Sequence, residues 1–304
     1  MRYSYIIAAS GCLSMVSGHG LVTSIQGANG VTMPGLSVAD GTPRDCSSNG
    51  CGSQADTAII RDRELGTQRA SALGRTQGNG PIDASLMIAN FMDASAGAPT
   101  NNGAASSAGV EDDLSALKGA KNNNKRGFLD GLFGGGAGGS RNQGTKSSKP
   151  VEDFVAASAG QGSASGLPTC SDDGSITMTF RQINQDGAGP LTADVDGTSG
   201  GTDVNAFQNA QVTQDVPGLP FGGLSLATNT DFPVTVQMPA GMTCDASVGG
   251  ADNVCIVRVR NGAAAGPFGG SAAFTQSPAA RKRAIAYRLK KRSAADMYQN
   301  RRLR

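Results

Sequence analysis

Between Leu167 and Ala273, apolar and polar side chains alternate with a period of two, and no other feature of the chain limits its fold as tightly. Ile176, Met178 and Phe180 are interleaved with Thr177, Thr179 and Arg181. Val234, Val236 and Met238 are interleaved with Thr235 and Gln237, and Cys255, Val257 and Val259 with Ile256, Arg258 and Arg260. Successive side chains of a strand point to opposite faces, so each run reads as a half-buried strand. Asp186-Gly187, Asp196-Gly197 and Pro217-Gly218 supply turns between them. Nearer the N-terminus, Leu21 to Ile25 runs through Gly27-Ala28-Asn29-Gly30 into Val31-Thr32-Met33, and Asn-Gly between apolar runs signals a hairpin. A short helix is expected around Thr57 to Ala72.

Strand signals flank a stretch of different character. From 93 to 166, Ala, Gly, Ser and Asn dominate, including GGGAGGS at Gly134 to Ser140 and SAGQGSASG at Ser158 to Gly166. Such sequence buries too little apolar surface to offset chain entropy. The expectation is one mainly β domain, an antiparallel β-sandwich of immunoglobulin-like or monooxygenase-like type. Residues 19–92 and 167–275 form it, and a disordered insertion at 93–166 divides it. Within the insertion, brief helix is expected near Glu111 to Leu117, and Lys125-Arg126 reads as an exposed processing site.

The two ends differ sharply. Residues 1–18 read as a secretory signal: Arg2 is the basic start, Ile6 to Val16 the apolar run, and Val16 and Gly18 suit a cut after Gly18. A membrane anchor needs about 18 or more apolar residues, and no stretch reaches that. The chain is therefore expected to be secreted, extracellular or at the cell surface. Residues 276–304 form a basic tail, with ten Lys or Arg and one acid, Asp296, from Arg281 onward. This asymmetry hides inside a formal net charge of +2, and it leaves the rest of the mature chain acidic. The tail reads first as solvated and disordered, although Ile285 and Leu289 give a weak apolar stripe on good helix formers. It also suits contact with anionic polymers, and Arg281-Lys282-Arg283 and Lys290-Lys291-Arg292 are further candidate processing sites. Secretion argues against a nucleic-acid role.

Cleavage after Gly18 removes Cys12 and leaves five cysteines. Cys46 with Cys51 closes over a Ser/Asn/Gly turn, Cys244 and Cys255 suit neighbouring strands, and Cys170 is left over. The same cleavage makes His19, the only histidine of the chain, its first residue. Its α-amine and imidazole together form a nitrogen chelate suited to Cu(II). This is the start of the brace of lytic polysaccharide monooxygenases, but their second histidine cannot exist here. Asp40, Asp45, Asp56 and Asp62 are the carboxylates available as a third ligand. Tryptophan is absent, and every tyrosine (Tyr3, Tyr5, Tyr287, Tyr298) lies in the signal or the tail. The aromatic faces on which a sugar binder stacks its ligand are thus missing from the body, which weighs against oxidative polysaccharide cleavage. No Ser-His-Asp or Cys-His unit forms without His19. Gly266 to Gly270 lacks the Lys-Ser/Thr of a phosphate loop, Asp172-Asp173 reads as a solvated turn, and the acids of residues 40–56 lack EF-hand spacing.

Three stretches carry a resemblance: HGLVTSIQGANGVTMPGLSVADGTPRDCSSNGCGSQADTAIIRDRELG, LGRTQGNGPIDA, and NVCIVRVRNGAAAGPFGGS. Together they resemble the Egh-like, appressorium-associated virulence factors of fungi, over residues 19–91 and 167–273. The resemblance implies a secreted or cell-surface protein acting in host penetration, and it implies no established reaction. The family pattern also places cysteines where this chain has Val259 and Ser271, which implies one disulfide fewer. The expected function is a binding or surface role without catalysis, with a cell-wall polysaccharide or host surface as partner. The alternatives are a copper-binding or copper-dependent redox protein using His19, and a precursor processed at its dibasic sites.

Overall fold

The structure, a computed structural model, describes residues 19–47, 49–94, 97–101, 144–147, 149–219, 223–263 and 266–302. The Gly18 cleavage site, Lys125-Arg126 and the short helix expected near Glu111 lie outside the described residues. The strands are β1 (Gly20–Gln26), β2 (Thr32–Pro34), β3 (Ala58–Ile59), β4 (Arg75–Thr76), β5 (Gly80–Pro81), β6 (Thr145–Lys146) and β7 (Ser175–Gln182). They continue with β8 (Thr192–Asp196), β9 (Phe207–Gln214), β10 (Thr230–Gln237), β11 (Ala246–Val248), β12 (Ala251–Arg260) and β13 (Phe268–Thr275). The helices are α1 (Ala84–Asp93), α2 (Phe154–Ala157), α3 (Gly162–Ser165) and α4 (Pro278–Arg302).

The alternating sequences become an antiparallel, curled sheet with order β2-β1-β7-β10-β9-β8-β12-β13-β3-β4-β5; β6 adds to β10 and β11 to β12. The curl turns at β9. Its first half pairs with β8 (Ala193↔Ala210) and its second with β10 (Val236↔Val212), so it passes from one layer to the other. The layers then face each other across β1 and β13, and Ile25, Met178, Phe180, Val234, Val257 and Phe274 fill the interior. The predicted hairpin forms between β1 and β2 with Gln26 opposite Thr32.

Strand β12 departs from the half-buried pattern, because both of its faces are covered. Arg258 points away from the core, yet is buried: it donates to the Ala72 carbonyl (2.5 Å) and Asp194 (2.9 Å) and lies 4.3 Å over the Phe207 ring. The helix expected at Thr57 to Ala72 does not form. Ala58 and Ile59 pair instead with Gly269 and Phe268 of β13, and Arg61, Glu64 and Thr67 close successive turns. A helix forms further on. Asp83 caps α1 by accepting the Ser85 N–H (2.8 Å), and Ala84, Met87, Ile88 and Phe91 pack inward at spacings of three and four.

The C-terminal side of the low-complexity stretch belongs to the folded body. Val155 of α2 is in the core, and the Asp40 carboxylate accepts both the Val155 and Ala156 N–H groups at 3.0 and 2.7 Å. Beside it, the fully buried Arg44 donates to Asp56 (3.0 and 2.5 Å) and to Glu152 (2.9 Å). Burial alone would raise the Glu152 carboxyl; the charges of Arg44 and Lys149 outweigh it and hold its pKa below the ordinary range. This network fastens the loop closed by Cys46–Cys51 to residues 149–157, which lie within the stretch expected to be disordered but belong to the folded body. Both expected disulfides, Cys46–Cys51 and Cys244–Cys255, are present, and Cys170 is a buried free thiol.

The tail, expected to be disordered, forms the helix α4, whose side chains from Ile285 to Ala295 stay largely exposed. Its inner face seats Ala280 and Ala284, while Arg281 donates to the Cys244 carbonyl (2.8 Å) and Asp245 (3.0 Å). Two turns on, Arg288 donates to the Gly241 carbonyl and Thr243 Oγ1, both at 2.5 Å. The Ile285 and Leu289 stripe faces outward instead. Backbone bonding through a glycine-free run and these arginine clamps explain why the basic composition did not leave the tail disordered.

Candidate functional site at the histidine end of the sandwich

His19 stands at the head of β1, where the two layers meet, and is 1% exposed. Its carbonyl accepts the Ile183 N–H (2.9 Å) and its backbone nitrogen donates to Asn184 Oδ1 (2.6 Å). A side chain at residue 187 would place its Cβ 2.0 Å from the His19 carbonyl oxygen, so only Gly187 admits this approach. The imidazole lies 4.3 Å from the Phe268 ring at a tilt of 33°. Phe268 in turn packs with Ile59 and Ala263 as a small apolar cluster under the end of the sandwich.

Carboxamide side chains latch the surrounding loops. Asn261 Oδ1 accepts the Ala263 (3.2 Å) and Phe268 (3.0 Å) N–H groups, and its Nδ2 donates to the Asp186 carbonyl (3.1 Å). Buried Gln182 donates from Nε2 to the Asn184 (3.0 Å) and Ala227 (2.8 Å) carbonyls and to Ser225 Oγ (2.8 Å). Arg61 donates to the Gly266 carbonyl (3.1 Å), and Arg260 joins Ile60 to Asp62. The outer rim is apolar, with Leu219, Leu224 and Leu226 exposed. When the chain starts at His19, its α-amine occupies the position bonded to Asn184. This end of the sandwich is thus a rigid seat for a chain terminus, bordered by an apolar loop.

The carboxylates considered as third metal ligands are distributed elsewhere. Asp40 caps α2, Asp56 pairs with Arg44, Asp62 pairs with Arg260, and Asp45 is exposed. Both imidazole nitrogens are shielded from solvent. Among the described residues, no group of three or more His, Cys, Asp or Glu side chains is placed to hold a metal ion. Of Asn184, Asp186 and Asn261, which frame His19, the sequence marks only Asp186, as a turn residue. The processing candidates Arg281, Lys282, Arg283, Lys290, Lys291 and Arg292 all fall within α4.

A family model described as Egh16-like virulence factor matches residues 17–269. Over 298 residues the chain is 57% identical to an appressoria-specific virulence factor, GAS2, of Pyricularia oryzae strain 70-15, covering 97% of this chain and 96% of that protein. A second relative from that strain, the appressoria-specific virulence factor GAS1, is 40% identical over 129 residues, covering 41% of this chain and 50% of that protein. No solved structure matches the chain.

Proposed function

This chain belongs to the Egh16-like family of virulence factors, and on that premise we propose that it is secreted by a fungus and acts at the cell surface during host penetration. It works by binding a wall or host surface, not by turnover. The observation that carries this reading is the near full-length relation to GAS2, whose name places that protein in the appressorium. The His19 end supports it, because the imidazole packs on Phe268 and the backbone nitrogen is held by Asn184. Two disulfides fit an oxidising compartment. No helix among the described residues is long and apolar enough to cross a membrane.

The test is fractionation of the tagged full chain expressed in a filamentous fungus, alongside turnover assays on wall polymers. The expected result is recovery of the protein from the wall fraction, released by salt or denaturant, with polymer profiles identical for wild type and His19→Ala. Copper-dependent cleavage of a wall polymer that disappears in His19→Ala would replace this reading with the copper-dependent one.

A further inference from the structure

We propose that α4 and the turn on which it docks form a binding site for an acidic polysaccharide, with Tyr287 as the stacking surface. This deepens the surface-binding function and rests on it. Sequence alone assigned every tyrosine to the signal or the tail, apart from the folded body. The structure returns one of them: α4 lays the Tyr287 ring beside Gly241, where a Cβ would come 2.9 Å from Tyr287 Cδ1. Gly241 sits at φ +83°, so this position requires glycine twice, for the turn and for the ring. The residue as a whole is 47% exposed. An aromatic residue seated on backbone and half-exposed to water is a platform for a sugar face.

Beside that ring lies a groove of about 290 Å³, lined on the body side by Thr198, Gln208 and Thr243 and on the helix side by Arg288 and Lys291. Its lining side chains offer hydroxyls, an amide and two cations; the Asp245 carboxylate lies behind Thr243, where it accepts the Thr243 hydroxyl (2.5 Å) and pairs with Arg281 (3.0 Å). Two bonds fix the Arg288 guanidinium plane, to the Gly241 carbonyl and to Thr243 Oγ1, while Lys291 is exposed on the rim. Hydroxyl and amide groups suit sugar hydroxyls, and the cations suit a carboxylate carried on the ring. The groove on the far side of Tyr287 differs, because Asp173 faces it together with Arg283. Hydrogen bonds from Ser175 hold the Asp173 carboxyl below its usual range, so that side stays anionic and is unsuited to an acidic ligand. Arg292, four residues on from Arg288, continues the same face of the helix, and Lys290, three residues on from Tyr287, flanks it. They extend the positive field beyond one sugar unit, whereas the body of the protein is acidic. The occupant is therefore a uronate-type polymer laid along the helix, its carboxylates matched to this cationic edge.

Affinity electrophoresis of the full secreted protein in gels containing polygalacturonate, with neutral dextran as control, tests the assignment. Wild type should be retarded by polygalacturonate alone, and retardation should fade as salt rises. Tyr287→Ala should weaken binding about tenfold and Tyr287→Phe should restore most of it. Lys291→Gln, an exposed change that leaves the fold intact, should weaken it about threefold. Absence of retardation in wild type, equal retardation by dextran, or unaltered binding in both Tyr287→Ala and Lys291→Gln would overturn the site. Wall retention without polygalacturonate binding would remove this site and leave the surface function standing; loss of wall retention itself would count against the function.

Discussion

Arg44→Met lowers the stability of the protein by about 3–5 kcal/mol at neutral pH, measured by urea unfolding. Arg44 and Asp56 are essentially inaccessible and the Glu152 side chain is 7% exposed, so the substitution strands buried Asp56 without a cation and leaves Glu152 only the partly exposed Lys149. The cost is that of the uncompensated charges, which exceeds the net worth of the intact network. A triple variant, Arg44→Met with Asp56→Leu and Glu152→Met, should therefore recover much of the loss. The pH dependence follows from Glu152, whose folded pKa is held down because Arg44 and Lys149 outweigh its burial. A depressed carboxyl contributes stability that is full above its unfolded pKa, about 4.3, and is lost as pH falls through the folded value. The gap between wild type and Arg44→Met should accordingly narrow on acidification. A gap that is small at pH 7, or unchanged in acid, would show that the network does not fasten residues 39–56 to residues 149–157.

Phe268→Ala costs about 3–5 kcal/mol, and its second effect separates it from an ordinary core truncation. The Phe268 ring has no solvent exposure and carries the imidazole of His19 at 4.3 Å. Removing it takes away the floor of the terminal seat while the Asn184 and Ile183 bonds to His19 remain. The N-terminus of the mature variant should become a substrate for aminopeptidase, whereas wild type resists trimming. Phe268→Leu fills most of the volume and should behave between the two. If Phe268→Ala loses stability but stays as resistant as wild type, the backbone bonds alone hold the terminus and the ring contact is incidental.

Most of the sheet was legible because its strands are local patterns. Ile176, Met178 and Phe180 in β7 and Val234 and Val236 in β10 point inward as their alternation requires. The period-two signal gave no warning that Arg258 would also be buried, since its cover comes from residues near Ala72 and from Phe207, distant in sequence. The helix at Ala84–Asp93 had a readable signal in Asp83 followed by Met87, Ile88 and Phe91, yet the segment at Thr57 to Ala72 drew the prediction instead. There, the long-range pairing of Ala58 and Ile59 with β13 overrides local preference. The tail was misjudged for a related reason: a basic run reads as solvated until Cys244, Asp245, Gly241 and Thr243 supply acceptors for Arg281 and Arg288. At the candidate site, His19 was conspicuous as the lone histidine. Its neighbours Asn184, Gly187 and Phe268 come from separate loops and strands, and only the closed sandwich brings them together.

The surface function requires a secreted chain, the seat at Asn184 requires one that starts at His19, and the Tyr287 site requires one that keeps α4. Processing at Arg281-Lys282-Arg283 or Lys290-Lys291-Arg292 would need the helix to unwind locally, and at the first of these sites the arginine clamps at 281 and 288 oppose that. Intact-mass spectrometry of the protein collected from the medium and the wall of a fungal host tests these requirements together. The account predicts one polypeptide beginning at His19 and retaining α4, with two disulfides. A chain retained in the cell with residues 1–18 attached, or a secreted body that has lost residues beyond 281, would contradict it.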